Sequence, residues 1–259
     1  MKKILIPIGL LIALIIGVIM SFSKGSAESP SFMREVLPKQ DGFASAGNGT
    51  TGGSNATEQN VFKVTNKKEF VAALKDRKNT APKIVLVYGT IDFDTDDTGK
   101  SLTMKDYMAD GYDFQQYIET HKPHSTAPKS LKDEQEEKRK ASQKNQSQSI
   151  TVHVPANTSI IGMDNAKLKG VDLVLDEDNI IIRNIQFESP YDYFPAWDPK
   201  DGPEGNWNSQ YDSVSIKGGT HIWIDHCSFQ DAPEMVETYF GRKYEHRDGL
   251  LDITNQADY

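Results

Sequence analysis

Ile180-Ile-Ile-Arg-Asn-Ile-Gln-Phe187 and Ile222-Trp-Ile-Asp-His-Cys-Ser-Phe229 are one pattern written twice, 42 residues apart. The offset lays Ile182 over Ile224, Ile185 over Cys227 and Phe187 over Phe229. Each copy reads as short strands joined by a bend. A second offset, 37, lays Val214-Ser-Ile216 over Leu251-Asp-Ile253 and sets His221-Ile222 over Asp258-Tyr259. Similar pieces at unequal spacing are what a solenoid produces when loops of different length interrupt its coils on one face.

Outward from this stretch, strand-like runs fill the chain from Ile150: Thr151 to Val154, Thr158 to Ile161, Val171 to Leu175, Ile180 to Phe187, Ser213 to Ile216, His221 to Phe229 and Leu250 to Ile253. Gly, Asn or Asp turns separate them. No helix of ordinary length intervenes, which argues against βαβ crossovers and a doubly wound sheet. An antiparallel sandwich stays open, but the near-repeat favours parallel coils stacked as a β-helix, an all-β fold.

Upstream, Lys83-Ile-Val-Leu-Val-Tyr-Gly-Thr-Ile91 reads as a buried strand with a Gly break. Asn66-Lys-Lys-Glu69 has the form of a capping box opening a helix from Lys67 to Arg77. Its stripe of Phe70, Val71 and Leu74 suits a capping helix over one open end of a strand stack. Residues 28–60, rich in Ser, Gly, Asn and Thr, are expected to be flexible or irregular. Residues 61–259 form the β-helix, with a polar insertion at about 92–149. Lys129 to Ser149 mixes acids and bases, which predicts a solvated helix or a disordered loop rather than a basic binding patch.

Met1-Lys-Lys, the apolar run Ile4 to Met20 and the small residues Gly25 and Ala27 read as a secretory signal peptide over 1–27. The other reading is an uncleaved anchor, since the run approaches the roughly 20 residues that span a bilayer. Either places the domain outside the cytoplasm, with membrane contact only through that segment. Cys227 is the single cysteine, so no intrachain disulfide forms, and its place in the strand pattern suggests a small buried apolar residue. The chain carries a formal charge of −8 over 259 residues and a mean hydropathy of −0.56. Loss of the signal would remove Lys2, Lys3 and Lys24 and no acid. So acidic an exported protein is a poor general ligand for nucleic acid.

Asp212 ends the loop before one strand, while Asp248 and Asp252 bracket the start of its counterpart one repeat later. On stacked coils such positions fall on neighbouring rungs of one face. Three carboxylates are hard oxygen donors suited to calcium (Ca2+), which takes about six to eight oxygens, so positions remain for water or substrate. Asp is also common in solenoid turns, where it bonds local amides. His221, His226 and His246 lack zinc-ligand spacing, and His226, over Asn184, reads as a stacking residue. The aromatics of Pro190 to Trp197 and Trp207 either stack on sugar rings or fold their loop onto the coil; burial is their commoner use.

The blocks Asn179 to Phe187, Tyr191-Asp-Tyr-Phe-Pro-Ala-Trp-Asp-Pro199, Gly205-Asn-Trp-Asn-Ser-Gln-Tyr-Asp212, Gly218 to Phe229, Tyr239-Phe-Gly-Arg-Lys-Tyr244 and Asp248-Gly-Leu-Leu-Asp252 closely resemble the extracellular bacterial pectate lyases. The resemblance is strong from about Ser159 onward and patchy from Gly42 to Gly111. It implies a right-handed parallel β-helix and a secreted enzyme, monomeric when full length, that cleaves polygalacturonate by β-elimination with calcium. By motif position it implies Asp212, Asp248 and Asp252 as the calcium ligands. Trp223, Asp225 and His226 match a structural signature and are not carried over as catalysts.

The resemblance also implies an arginine base and further cations in segments that follow the Asp-Gly-x-x-Asp block, so no catalytic residue is assigned here. Arg183, Arg242 and Arg247 sit outside that motif, and Arg183, over Asp225, reads as a ladder partner. The chain is expected to be incomplete at its C-terminus and its activity uncertain. The alternatives are a non-catalytic calcium- and galacturonan-binding β-helix, or a pectin lyase or β-helical hydrolase that needs no calcium.

Overall fold

The structure, a computed structural model, describes residues 31–258. The 1–27 segment read as a signal peptide lies outside the described residues, as does Tyr259. No helix among the described residues is long and apolar enough to cross a membrane.

The strands are β1 (Val61–Val64), β2 (Lys83–Asp92), β3 (Thr151–His153), β4 (Thr158–Lys169), β5 (Asp172–Leu175), β6 (Ile180–Arg183) and β7 (Gln186–Glu188). They continue as β8 (Ala196–Asp198), β9 (Asn206–Asn208), β10 (Val214–Lys217), β11 (Ile222–Asp225), β12 (Ser228–Gln230), β13 (Thr238–Tyr239), β14 (Arg242–Lys243) and β15 (Leu251–Thr254). One parallel sheet runs β1-β2-β4-β6-β11, with β7 beside β4 and β12 beside β7, and another runs β3-β5-β10-β15. Each circuit, β5 to β7 or β10 to β12, lays strands on both walls and returns one rung along, which is a parallel β-helix.

Both sequence offsets are the register of this stack: Ile222 pairs with Ile180, Phe229 with Phe187, and Leu251 with Val214. The third expected pairing is off by one residue, since Asp258 bridges to Thr220 rather than standing opposite His221. Lys217 still pairs with Thr254. The turn through Asn255 and Gln256, both at positive φ, therefore holds one more residue than its counterpart.

Corners fall at Asn157, Asn179, Asn184, His221 and His226, all with φ between 51° and 61°. Asparagine tolerates this left-handed backbone better than most residues. Asn179 Nδ2 donates to Asn157 Oδ1 at 2.7 Å, so the corners stack as a polar ladder.

The runs Ile84 to Val87 and Ile180 to Ile182 are apolar throughout because both faces are covered, the pattern of a buried parallel sheet. Val85, Val87, Ile180 and Ile182 fill the interior with Leu173, Phe187 and Val214. Ile84, Leu86 and Ile181 point outward onto Met33 and Ala56. Residues 31–60 are irregular, with three short 3-10 turns, yet they are tied down. Asn179 Oδ1 accepts the amides of Thr51 and Gly52 at 2.7 and 2.8 Å, and Ser159 Oγ accepts Gly53 N.

Helix α1 (Lys67–Leu74) ends three residues before the expected Arg77. Asn66 caps Glu69 N at 3.0 Å, but the Glu69 carboxylate returns to Thr65 rather than to Asn66. Phe70, Ala73 and Leu74 join the interior core. Cys227 is half-buried rather than buried, packed against that core, and burial raises its thiol pKa.

The polar insertion folds as α2 (Met104–Tyr107), α3 (Phe114–His121) and α4 (Lys129–Ile150). α4 is the helix that the sequence allowed, but it is not solvated all round: Gln135, Arg139, Ser142, Gln143 and Gln146 are buried. Their polar ends are satisfied by backbone and by neighbouring side chains, as burial requires. Arg139 donates to Phe194 O, Gln146 to Tyr191 O, and Ser142 accepts Ala109 N. The aromatic loop packs inward. Phe194 and Trp207 are buried with Tyr107, Tyr112, Tyr117, Ile118 and Tyr244.

Candidate active site

Asp212 lies in the loop feeding β10, and Asp248 and Asp252 flank the start of β15, the next rung of the same sheet. The sequence placed them on one face, and the stack brings them around Gly249. Gly249 N donates to Asp212 Oδ1 at 3.1 Å. A Cβ on Gly249 would stand 2.5 Å from Asp212 Oδ1 and 3.1 Å from Asp252 Oδ1, so only glycine leaves that space open.

Asp212 is buried and fixed on its other oxygen by Ser215 Oγ at 3.1 Å. Asp248 and Asp252 are exposed. Burial and the Asp252 charge raise the Asp212 pKa, opposed by Ser215, the Gly249 amide and Lys217. Partial desolvation, then Asp212 and Asp252, raise that of Asp248. Mutual repulsion of this kind marks a place that favours a cation. Among the described residues no three His, Cys, Asp or Glu side chains already close on one point as a metal cage. The donor chemistry nevertheless fits a hard divalent cation: carboxylate oxygens, one of them rigid, with space between two of them.

One acid beside this site was missed from the sequence. Asp172, buried at the start of β5, shares the Ser215 hydroxyl with Asp212 at 3.1 Å and takes Thr151 Oγ1 on its other oxygen. Its pKa is raised, chiefly by burial. The repeat gave no signal for it, since the 42-residue offset does not apply to this wall and only the β5–β10 register places Asp172 one rung below Ser213.

The three arginines named from the sequence are all held by acids. Arg183 pairs with Asp225 at 2.7 Å and Glu35 at 2.6 Å and lies over the Trp223 ring at 4.5 Å, the ladder position expected of it. Arg247 pairs with Glu234 at 3.0 Å and donates to the Ser189 carbonyl. Arg242 reaches Glu204 at 3.3 Å. His246 Nδ1 faces the Asp192 carbonyl at 2.7 Å and its ring stacks on Tyr191, a packing role.

Parallel coils stacked in two sheets, with three acids gathered at one edge, define a parallel β-helix, and the comparisons agree on the fold. The family model described as Pectate lyase matches residues 9–109 and 126–259. The pectate lyase of Bacillus subtilis is 44% identical over 263 residues, covering 100% of this chain and 61% of the relative. Pectate lyase E of Dickeya chrysanthemi is 31% identical over 253 residues, covering 96% of this chain and 51% of the relative. A solved pectate lyase bound to a hexasaccharide superposes with a TM-score of 0.83 at 46% identity, over 87% of this chain and 57% of that one. The chain belongs to the pectate lyase family. It spans between half and two thirds of the length of these relatives.

Proposed function

We propose that the protein is an exported, calcium-dependent pectate lyase that cleaves polygalacturonate by β-elimination, and that Asp212, Asp248 and Asp252 form the metal-binding part of its site. The reading rests on the convergence of Asp212, Asp248 and Asp252 around Gly249 in a member of this family. Asp212 is the rigid ligand, set by Ser215 and the Gly249 amide, and exposed Asp248 and Asp252 complete the set. These three carboxylates would hold calcium, which would supply a positive charge to offset that of the uronate carboxylate next to the proton to be lost. Carboxylates engaged with a cation stay ionised and are poor proton acceptors, so none of the three is the base. Arg183, Arg242 and Arg247 are paired with acids and are not assigned that role either. On this reading the coil is right-handed and α1 caps its N-terminal end through Phe70 and Leu74.

The test is incubation with polygalacturonate with and without calcium, following ultraviolet absorbance of the unsaturated product. Calcium-dependent turnover supports the lyase. Calcium-dependent binding of polygalacturonate with no absorbance change makes the chain a non-catalytic binder, a reading that the paired arginines favour. Turnover that persists in excess chelator overturns the calcium assignment and points to a pectin lyase-like enzyme.

A further inference from the structure

We propose that Asp192 is a positioning residue that sets the separation of Asp212 and Asp248, and that helix α4 serves the metal site by holding it. Asp192 is fully buried. Its Oδ1 accepts Phe194 N at 2.7 Å, and its Oδ2 accepts both Gln210 N and Gln143 Nε2 at 3.2 Å. Its main chain binds a second segment: Asp192 N donates to His246 O at 2.7 Å, and His246 Nδ1 donates to Asp192 O at 2.7 Å. Gln210 stands two residues before Asp212 and His246 two before Asp248. One residue thus grips both loops at the same distance from their aspartates.

The grip is anchored from α4. Gln143 Oε1 accepts Arg139 Nη1 at 3.0 Å, Arg139 is held by Glu136 through both carboxylate oxygens, and Tyr211 Oη donates to the Gln143 carbonyl at 2.9 Å. Every bond to the Asp192 carboxylate is an N–H donor. An amide at that position would turn an NH2 toward donors. Groups that orient metal ligands without touching the metal commonly change affinity about 10- to 100-fold when removed.

The inference rests on the calcium reading above, and two measurements separate them. In Asp192→Asn, calcium titration by calorimetry well below the melting temperature should show at least about tenfold weaker binding. Amide exchange in the metal-free protein should accelerate at Gln210 and at Gly249, whose N–H reports where Asp212 lies. Tyr211→Phe cuts the α4 tie while keeping the ring, and in a folded protein should produce the same changes in smaller measure. Unchanged Gly249 exchange and unchanged calcium affinity in both variants, with only a lowered melting temperature, would overturn the positioning role. Wild-type protein that binds no calcium sinks the metal reading, while the exchange arm still decides the proposal.

Discussion

Asp212 accepts the Gly249 amide at 3.1 Å across the junction of two coils, and that glycine has no room for a side chain on the same side. The obstructing atom belongs to a buried carboxylate held on both oxygens, so it moves aside only by giving up the Gly249 and Ser215 bonds. Gly249→Ala should therefore lower global stability by about 1–3 kcal/mol. It should weaken calcium binding by about tenfold or more as Asp212 is displaced. Calorimetric titration beside a thermal melt reads both, and tight binding with a normal melt would contradict the crowding argument.

Asp94 gives a pH dependence with a definite sign. Burial, with the Asp92 charge, raises its pKa to about 6 against 3.8 for an ordinary aspartate, while Lys169, Lys67 and Arg247 pull it back. Its Oδ1 is buried with no hydrogen-bond partner among the described residues. The folded state holds the proton more tightly than the unfolded chain does. The contribution is thus whole below pH 3.8 and is lost as pH rises to about 6. A gap of that size is worth about 3 kcal/mol. Asp94→Asn should match wild type at pH 4 and melt higher at pH 8. Equal melting temperatures at both would remove Asp94 from the account.

Phe187 and Phe229 stack face to face on successive coils, 4.8 Å between centroids and 6° between planes. Phe187 is fully buried. Phe187→Ala should cost about 3–5 kcal/mol, the usual range for emptying an aromatic site in a core. Half-buried Phe229 should cost less. Chemical denaturation checks the order, and a greater loss at Phe229 would mean that the interior is organised from the other end.

Arg183 joins Asp225, Glu35 and the Trp223 ring with one planar group. Lysine keeps the charge but not the fork or the stacking plane. Arg183→Lys should therefore cost about 1–2 kcal/mol, within the range for charge-assisted hydrogen bonds. A change of a few tenths by denaturation would show that water screens the cluster.

The walls of the coil were legible because parallel stacking sets each side chain over its equivalent, so self-similarity along the chain is adjacency in space. Ile180 over Ile222 and Val214 over Leu251 needed nothing more. The placement of Asp212, Asp248 and Asp252 on one face was legible for the same reason. The buried face of α4 was not, because Gln143 and Gln146 bind loop carbonyls, and carbonyls leave no mark on residue type. Asp192 was hidden likewise: a solenoid loop contains many aspartates, and only depth separates this one from the rest.

Thr51 finds its partner Asn179 128 residues downstream. The segment 31–60 covers the outward face of a sheet whose strands come later in the chain. Its docking surface does not exist until those strands have stacked, so the portion synthesised early takes its place late. Closing so long a loop makes this a slow, nonlocal event in folding. Ile181 and Leu86 stay uncovered in the meantime. The interval between stacking and docking is when this protein is most exposed to aggregation or to a protease.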